Sequence, residues 1–127
     1  MKRREARERA LQALFQMELN EMTAEQAIEN VMDEEEEAYV EKLVFGVTEH
    51  KQALDEKITA HLDNWKLDRL NKVDLSILRV GAFEMLFLDD VPDRVSLNES
   101  IEIAKVYSDE KASKFINGVL ANIAKND

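Results

Sequence analysis

The sequence predicts an all-α protein, and three observations support this fold class. The 127 residues include only three Gly and one Pro, which leaves little material for turns. Apolar residues recur at the 3.6-residue period of a helix along most of the chain. Residues 73–88 are apolar at eleven of sixteen positions even without Gly81, which indicates a helix covered on nearly all sides. We therefore expect a compact bundle of about seven helices around a central buried helix (71–88).

The first helix is predicted over residues 3–20, because five apolar residues share one of its faces (Ala6, Ala10, Ala13, Leu14 and Met17). Beside that face lies a stripe that joins cations to an aromatic ring (Arg4, Arg7, Leu11 and Phe15). Such a stripe suits single-stranded nucleic acid, since cations bind phosphates and rings stack on bases. The sequence leaves open a second interpretation, a solvated amphipathic helix with Phe15 at the edge of the core.

The next three helices are predicted from caps and periodicity. The spacing of Thr23 and Gln26 matches a capping box and predicts a short helix through Met32. The acidic run 33–37 is expected to begin the third helix, where carboxylates complement the helix dipole. A metal site is disfavoured there, because five adjacent acids on a helix point in all directions. The fourth helix is predicted to end near residues 63–64, and Trp65 is expected to form an apolar plug with Leu67.

The central helix has a clear start and one ionisable residue in its middle. Asn71 is predicted to cap it, Asp74 is the acid of its first turn, and Pro92 is predicted to end it. No acid lies three or four residues from Arg79, so its partner must come from another helix or from a ligand. An ion pair with the next helix (Glu99 or Glu102) is favoured, because a buried unpaired guanidinium is strongly unfavourable.

Two more helices complete the predicted bundle. A capping box over residues 96–99 predicts the start of one helix, residues 107–109 break it, and the last helix is expected over about 111–125. All three glycines fall inside helical patterns (Gly46, Gly81 and Gly118). Each costs about 1 kcal/mol relative to Ala there. We interpret them as packing sites, where close approach of helix backbones compensates for that cost.

Composition excludes several classes of function. The absence of cysteine rules out disulfides and thiolate metal sites, and without an apolar leader in the first thirty residues a cytoplasmic location is expected. The central run holds Asp74, Arg79 and Glu84, so it does not predict a membrane span. His50 and His61 lie on different predicted helices, and no nucleophile motif is present. No enzyme activity, metal or cofactor is therefore expected.

The net charge of −10 is distributed unevenly along the chain. Residues 1–9 hold five bases against two acids, whereas residues 10–41 hold ten acids and no base. The rest of the chain is near neutral. A strongly acidic protein is repelled by nucleic acid at long range, so its basic amino end is the feature that keeps an RNA-binding function open.

An ordered set of motifs extends along essentially the whole chain. It comprises residues 3–15 (RREARERALQALF), Val73–Asp74 with Ile77–Arg79 and Phe83–Glu84, Val91–Pro92, residues 97–105 (LNESIEIAK), and Lys114–Phe115 with Asn117–Gly118 and Leu120. At these spacings the set resembles the NusB family of bacterial transcription antitermination proteins. The resemblance implies a single all-helical domain (1–127) of two packed helical subdomains, about 1–64 and about 65–127.

The resemblance also implies partners. Proteins of this family pair with NusE, a small ribosomal-subunit protein, and together they bind the boxA element of nascent RNA. The assembly modifies RNA polymerase during transcription of ribosomal RNA operons. We expect weak RNA binding by this acidic chain alone and tighter binding with NusE. The sequence leaves open a homodimer of the free protein and, as an alternative function, a helical protein–protein adaptor without direct RNA contact.

The family builds its RNA surface from the basic first helix and the segment between the last two helices. Carried over residue by residue, that surface comprises Lys2, Arg3, Arg4, Arg7, Phe15, Tyr107, Lys111 and Lys114. Asp74 matches a family position that faces NusE. An acid in the first turn of a helix also complements the dipole, so a purely structural role of Asp74 stays open.

Overall fold

A computed structural model of the protein describes residues 1–33 and 37–126. In these residues it has seven α-helices and no strand: α1 (Arg3–Leu19), α2 (Ala24–Val31), α3 (Ala38–Glu49), α4 (Lys51–Ala60), α5 (Lys72–Phe87), α6 (Asp93–Tyr107) and α7 (Glu110–Asn126). A short 3-10 helix (Leu67–Arg69) precedes α5. The predicted all-α fold is confirmed. Over the same residues, no helix is long and apolar enough to cross a membrane.

Helix α5 packs against five of the other six helices, α1, α3, α4, α6 and α7. Every residue from Asp74 to Glu84 is buried. Asn71 caps its start as predicted, because its side chain accepts a hydrogen bond from the backbone N–H of Asp74 at 2.8 Å. The prediction that Pro92 ends the helix is wrong. Helix α5 already ends at Phe87, five residues earlier, and Pro92 lies at the N-cap of α6.

One of the two predicted capping boxes exists. The backbone N–H of Gln26 donates to Thr23 Oγ1 at 3.2 Å, and Gln26 Oε1 accepts from the backbone N–H of Thr23 at 2.8 Å. The second box, at residues 96–99, is wrong, because α6 begins at Asp93 and Ser96 is fully buried inside it. The fixed φ of Pro92 (−60°) suits a helix start, so the helix begins three residues before Ser96.

The start of α3 falls partly outside the described residues. Of the acidic run predicted to begin this helix, residues 34–36 lie outside them. The helix begins at Ala38, and the carboxylate of Glu37 accepts a hydrogen bond from the backbone N–H of Tyr39 at 3.4 Å. Glu37 therefore acts as the cap.

The expectation that Trp65 is an apolar plug is wrong. Its side chain is 57% exposed, and Phe115 lies against it edge to face at a ring-centroid distance of 6.5 Å. Leu62 and Leu70, each 9% exposed, fill the core on the two sides of this connection. The core is closed without the indole, which leaves the ring at the surface.

Two of the three glycines allow close packing, as predicted. A Cβ at Gly46 would lie 2.1 Å from the Phe83 ring, and one at Gly81 would lie 2.8 Å from Leu120. The prediction is wrong for Gly118, because no atom lies within 4 Å of the corresponding position. Gly118 is on the outer face of α7.

Arg79 forms an ion pair with acids of other helices, but not with the acids of α6. Its Nε and Nη2 donate to the two carboxylate oxygens of Asp55 on α4, at 2.8 and 2.9 Å, and its Nη1 donates to Glu18 on α1. The predicted partners Glu99 or Glu102 are therefore wrong. Arg79 points toward α1 and α4, whereas Glu99 points toward the first turns of α1.

Candidate nucleic-acid interface

Helices α1 and α6 both pack on α5, and two side-chain contacts indicate that they advance in the same direction. Arg4 hydrogen-bonds Glu99, and Gln12 hydrogen-bonds Tyr107, so both helices advance eight residues between the two contacts. Eight helical residues span about 12 Å. The α1–α6 pair therefore presents a strip of surface that begins at the basic amino end and leads to the junction with α7.

At the first end of the strip, Arg4 and Glu99 form a two-pronged ion pair. The Nε and Nη2 atoms of Arg4 donate to the two carboxylate oxygens of Glu99 at 3.0 and 2.5 Å. The hydrogen bond from Arg4 lowers the pKa of Glu99, and the same bond raises the pKa of Arg4. The side chain of Arg4 is still 53% exposed, so its guanidinium is open to solvent beside the pair.

Arg7 lies below this surface in a buried polar network. Its Nε donates to the carboxylate of Glu84 at 2.9 Å, and its Nη1 donates to Glu99 at 3.4 Å. The hydroxyl of Tyr39 donates to the same Glu84 carboxylate. Burial, reinforced by that hydrogen bond, raises the pKa of Tyr39, so the phenol stays protonated. The network fastens α1 to α3, α5 and α6.

The two residues before Arg4 are exposed cations. The guanidinium carbon of Arg3 lies 3.8 Å from the centroid of the Tyr39 ring, a cation–π contact at the surface. Lys2 precedes α1 and forms no ion pair with the described residues. Both charges are therefore presented to solvent at the start of the strip.

Two aromatic residues lie toward the other end. Tyr107 is 36% exposed, and its hydroxyl oxygen lies 3.2 Å from Nε2 of Gln12. Phe15, three residues further along α1, is partly buried. Its neighbour on the helix surface, Leu11, is buried in the core. Tyr107 is thus the more accessible of the two predicted aromatic residues.

The first two turns of α7 carry Lys111 and Lys114, both exposed. Within the described residues neither lysine pairs with a carboxylate. Asp109 caps the helix, since its Oδ1 accepts a hydrogen bond from the backbone N–H of Ala112 at 2.7 Å. Two cations at the positive end of a helix dipole cost stability locally and favour an anion nearby.

Asp74, the predicted partner-facing residue, lies in the first turn of α5 and is 8% exposed. One carboxylate oxygen accepts a hydrogen bond from Asn71 Nδ2 at 3.0 Å. The other, Oδ1, has no hydrogen-bond partner among the described residues. A buried oxygen without a hydrogen-bond donor is unfavourable, so Oδ1 of Asp74 can accept one more hydrogen bond.

Several residues that shape the surface are not indicated by sequence reasoning. Three residues from distant parts of the chain contact the arginines of α1. Tyr39 contacts Arg3 across 36 positions, Glu84 contacts Arg7 across 77, and Glu99 contacts Arg4 across 95. No local spacing carries such information. For Glu84 the sequence offers one indication: an acid inside an apolar helix is expected to have a buried partner, although the sequence does not identify that partner.

The histidines and acids of the described residues do not form a shared metal site. No group of three or more His, Asp or Glu side chains in residues 1–33 and 37–126 is arranged to hold a metal ion. His50 stacks on Phe87 at a ring-centroid distance of 4.1 Å, and His61 caps the end of α4. The chemistry that the surface supports is electrostatic binding and stacking.

Comparison with known proteins gives a family match over nearly the whole chain. The profile of the NusB family matches residues 4–125. The chain is 68% identical to transcription antitermination protein NusB of Listeria innocua serovar 6a over 127 residues, covering 100% of this chain and 99% of that protein. It is 56% identical to the protein of the same name from Bacillus velezensis over 124 residues, covering 97% and 95% of the two chains.

Solved structures agree with the sequence matches. NusB of T. maritima superimposes with a TM-score of 0.91 at 37% identity, covering 99% of this chain and 92% of that one. A structure of the antitermination factors NusB and NusE in complex with dsRNA matches with a TM-score of 0.89 at 31% identity, covering 98% and 97%. The likeness therefore extends over the whole fold, including both ends of the α1–α6 strip.

Proposed function

The chain belongs to the NusB family, and on that basis we propose that it is a transcription antitermination factor. In this role it binds boxA of nascent ribosomal RNA transcripts together with NusE, and the complex modifies RNA polymerase. The relatives' name and the complex of NusB and NusE with dsRNA support the proposal. The chain itself acts by binding and not by catalysis.

The observation that supports RNA binding is the position of four exposed cations in a protein of net charge −10. They lie at the two ends of the α1–α6 strip, and none of them pairs with a carboxylate in residues 1–33 and 37–126. Lys2 and Arg3 lie at the amino end of α1, and Lys111 and Lys114 lie at the start of α7. A single strand that follows this strip can place phosphates at both ends and bases between them.

The predicted RNA residues take three different roles along the strip. Lys2, Arg3, Lys111 and Lys114 are the direct phosphate ligands, and Tyr107 with the exposed part of Phe15 supplies stacking surface. Arg4 binds a phosphate through the exposed side of its guanidinium, and its ion pair with Glu99 is either kept or broken when it does so. Arg7 is only 5% exposed and is held by two carboxylates, so we assign it a positioning role in fixing α1.

The charge balance explains why NusE is needed. Each phosphate neutralised on a single strand contributes about 0.7 to the slope of log affinity against log salt, so five contacts give a slope of about −3.5 and modest affinity. The remaining acidic surface repels RNA. A basic partner adds phosphate contacts and offsets that repulsion. We assign Asp74 to the NusE side, because its Oδ1 lacks a donor in the described residues of the free chain.

The test is boxA RNA binding by fluorescence anisotropy, with and without NusE, against a scrambled RNA of equal length. The double substitution Lys111→Glu/Lys114→Glu is expected to lower boxA affinity about tenfold or more at 0.1 M salt and to reduce the salt slope. Lys125→Glu is the matched control, since this exposed lysine lies at the other end of α7. It should change affinity little.

The outcomes separate two functions. Loss of RNA binding with NusE binding retained supports the antitermination role. Equal affinity for boxA and scrambled RNA in the presence of NusE contradicts it. The chain is a protein–protein adaptor if it binds NusE but the double lysine substitution does not change RNA affinity, either of the chain alone or of its complex with NusE. Asp74→Asn, compared with Asp93→Asn in the first turn of α6, checks the assignment of the NusE side.

A further inference from the structure

The four arginines of α1 differ in what their guanidinium N–H groups contact. Those of Arg4 and Arg7 donate to carboxylates on α5 and α6. Arg9 donates from Nη1 to the last backbone oxygen of α2 at 2.6 Å. The guanidinium of Arg3, in contrast, forms no hydrogen bond or ion pair with residues 1–33 and 37–126. Arg3 is therefore the arginine of this helix whose donors are all open to a ligand.

The guanidinium of Arg3 is held through its face instead. Its central carbon lies over the ring of Tyr39 on α3, 3.8 Å from the ring centroid, where the cation is attracted by the π electrons. The N–H groups of a guanidinium lie in its plane and point outward from its edge. Contact through the face leaves that edge free. A phosphate can therefore bind Arg3 without removing it from the ring.

Tyr39 is itself held in place by the core. The residue is only 4% exposed, and its hydroxyl donates a hydrogen bond to the carboxylate of Glu84 on α5. Glu84 is 1% exposed and also accepts from Nε of Arg7 at 2.9 Å. The ring is thus fixed at both its backbone and its hydroxyl end. It forms a rigid support for an arginine side chain, which has many rotamers when it is free.

We propose that Tyr39 is a positioning residue of the RNA interface: its ring holds the face of the Arg3 guanidinium, so that the free N–H edge binds an RNA phosphate. The inference rests on the proposed function and adds a residue of α3, outside the α1–α6 strip, to that interface. Ordering the side chain before RNA arrives lowers the entropy cost of binding. A carboxylate of a protein partner would fit the same edge. RNA is favoured because Lys2, a second unpaired cation, directly precedes Arg3, and adjacent cations suit a strand of phosphates.

Two substitutions separate the ring of Tyr39 from its hydroxyl. Tyr39→Phe and Tyr39→Leu both remove the hydrogen bond to Glu84, but only phenylalanine keeps an aromatic face for Arg3. Tyr39→Leu is expected to lower boxA affinity in the presence of NusE about two- to fivefold, as an exposed cation–π contact commonly contributes, and Tyr39→Phe should retain most of the affinity. Fluorescence anisotropy measures RNA and NusE binding, and circular dichroism checks that each variant is folded.

A double-mutant cycle shows whether Tyr39 acts through Arg3. Arg3→Ala in the wild-type chain is expected to lower boxA affinity and to reduce the salt slope by about 0.7, the value for one phosphate contact on a single strand. In the Tyr39→Leu chain the same substitution should cost about two- to fivefold less affinity, because the ring no longer supports the side chain. A purely structural role of Tyr39 would leave the two losses independent.

Proton NMR observes the contact directly, because protons above an aromatic ring are shifted upfield by its ring current. The side-chain protons of Arg3 should show this shift in the wild type and in Tyr39→Phe, and they should keep it when boxA is added. This measurement needs only the wild type and the phenylalanine variant. It therefore decides the question even if Tyr39→Leu does not fold.

Each result has a defined meaning. Equal losses of boxA affinity in the two Tyr39 variants, additive effects in the cycle, or disappearance of the upfield shift of Arg3 when boxA binds would overturn the inference, and the proposed function would stand. Weaker NusE binding by Tyr39→Leu with unchanged RNA binding would mean that Arg3 binds a protein, which overturns it as well. If the wild-type chain does not bind boxA, with or without NusE, the proposed function itself fails, and this inference fails with it.

Discussion

The guanidinium of Arg4 lies 2.5 Å from the carboxylate of Glu99, although the two residues are 95 positions apart in the chain. The contact joins the first turn of α1 to the middle of α6, and it occupies a cation that we propose as an RNA ligand. Because Arg4 lowers the pKa of Glu99, the carboxylate stays ionised at neutral pH and competes with phosphate. If Arg4 binds RNA as proposed, Glu99 is therefore expected to limit the RNA affinity of the free chain.

Glu99→Gln is expected to strengthen boxA binding about two- to fivefold, because an exposed ion pair is worth up to about 1 kcal/mol and the amide competes less for Arg4. The measurement is anisotropy at low salt. Glu102→Gln removes the same charge from the same helix, and it is the matched control because Glu102 pairs with Lys105 at 3.7 Å and, among the described residues, acts on Arg4 only as a more distant charge. Weaker binding by the Glu99 variant, or equal gains in both, would contradict the competition.

Arg7→Ala is expected to destabilise the fold by about 3–5 kcal/mol, since it leaves the buried carboxylate of Glu84 without its cation. Arg3→Ala is the control on the same helix. Arg3 also contacts Tyr39 but is exposed, so its removal should cost less than about 1 kcal/mol. Urea unfolding followed by circular dichroism measures both. A small effect of Arg7→Ala would mean that the network is not structural and would favour direct RNA contact by Arg7.

Gly46→Ala and Gly118→Ala should have opposite effects on stability. At Gly46 the added methyl would lie 2.1 Å from the Phe83 ring, so overpacking is expected to lower the free energy of unfolding by about 1–3 kcal/mol. At Gly118 the methyl enters open space in a helix, where Ala is more favourable by about 1 kcal/mol. Thermal unfolding of the two variants measures the difference. A destabilising Gly118→Ala would show that the free chain needs glycine there.

The sequence predicts the helices well because periodicity and caps are local signals. The Asn71 cap and the Thr23 capping box are both present at the predicted positions. The error at Ser96 is also local: the sequence holds two possible starts for α6, and the proline start is used because it adds almost one turn. Choosing between adjacent starts requires knowing which side chains the core encloses, and Ser96 is enclosed.

Long-range pairing is what the sequence does not give. The need of Arg79 for an acid is visible from its apolar surroundings, but the identity of that acid depends on how α5 is rotated against α1 and α4. The predicted cations of α1 are similar in sequence, yet Arg4 is exposed and Arg7 is enclosed. On the proposed function, that difference in exposure makes Arg4, and not Arg7, the candidate phosphate ligand. It appears only when α6 is placed beside α1.

The ion pair of Glu18 with Arg79 predicts a dependence of stability on pH. Burial by itself raises the pKa of Glu18. The hydrogen bond from Arg79 and its positive charge together lower that pKa by more than burial raises it, so the net shift is downward from 4.5. A carboxylate whose pKa is lower in the folded state stabilises the fold above its unfolded pKa. That contribution is lost as the pH falls through the lower, folded pKa.

Glu18→Gln is therefore expected to cost about 1–2 kcal/mol near pH 7, because a charge-assisted hydrogen bond is replaced by a neutral one. The cost should shrink as the pH falls below the ordinary pKa of a glutamate and through the lower, folded pKa of Glu18, where the wild-type carboxylate takes up its proton. Urea unfolding at several pH values measures this difference. Glu21→Gln is the control, since this exposed acid has no partner among the described residues and should change stability little at any pH. A cost of Glu18→Gln that stays constant as the pH falls would contradict the coupling to Arg79, because a carboxylate whose pKa is lower in the folded state than in the unfolded state must lose its stabilising effect in acid.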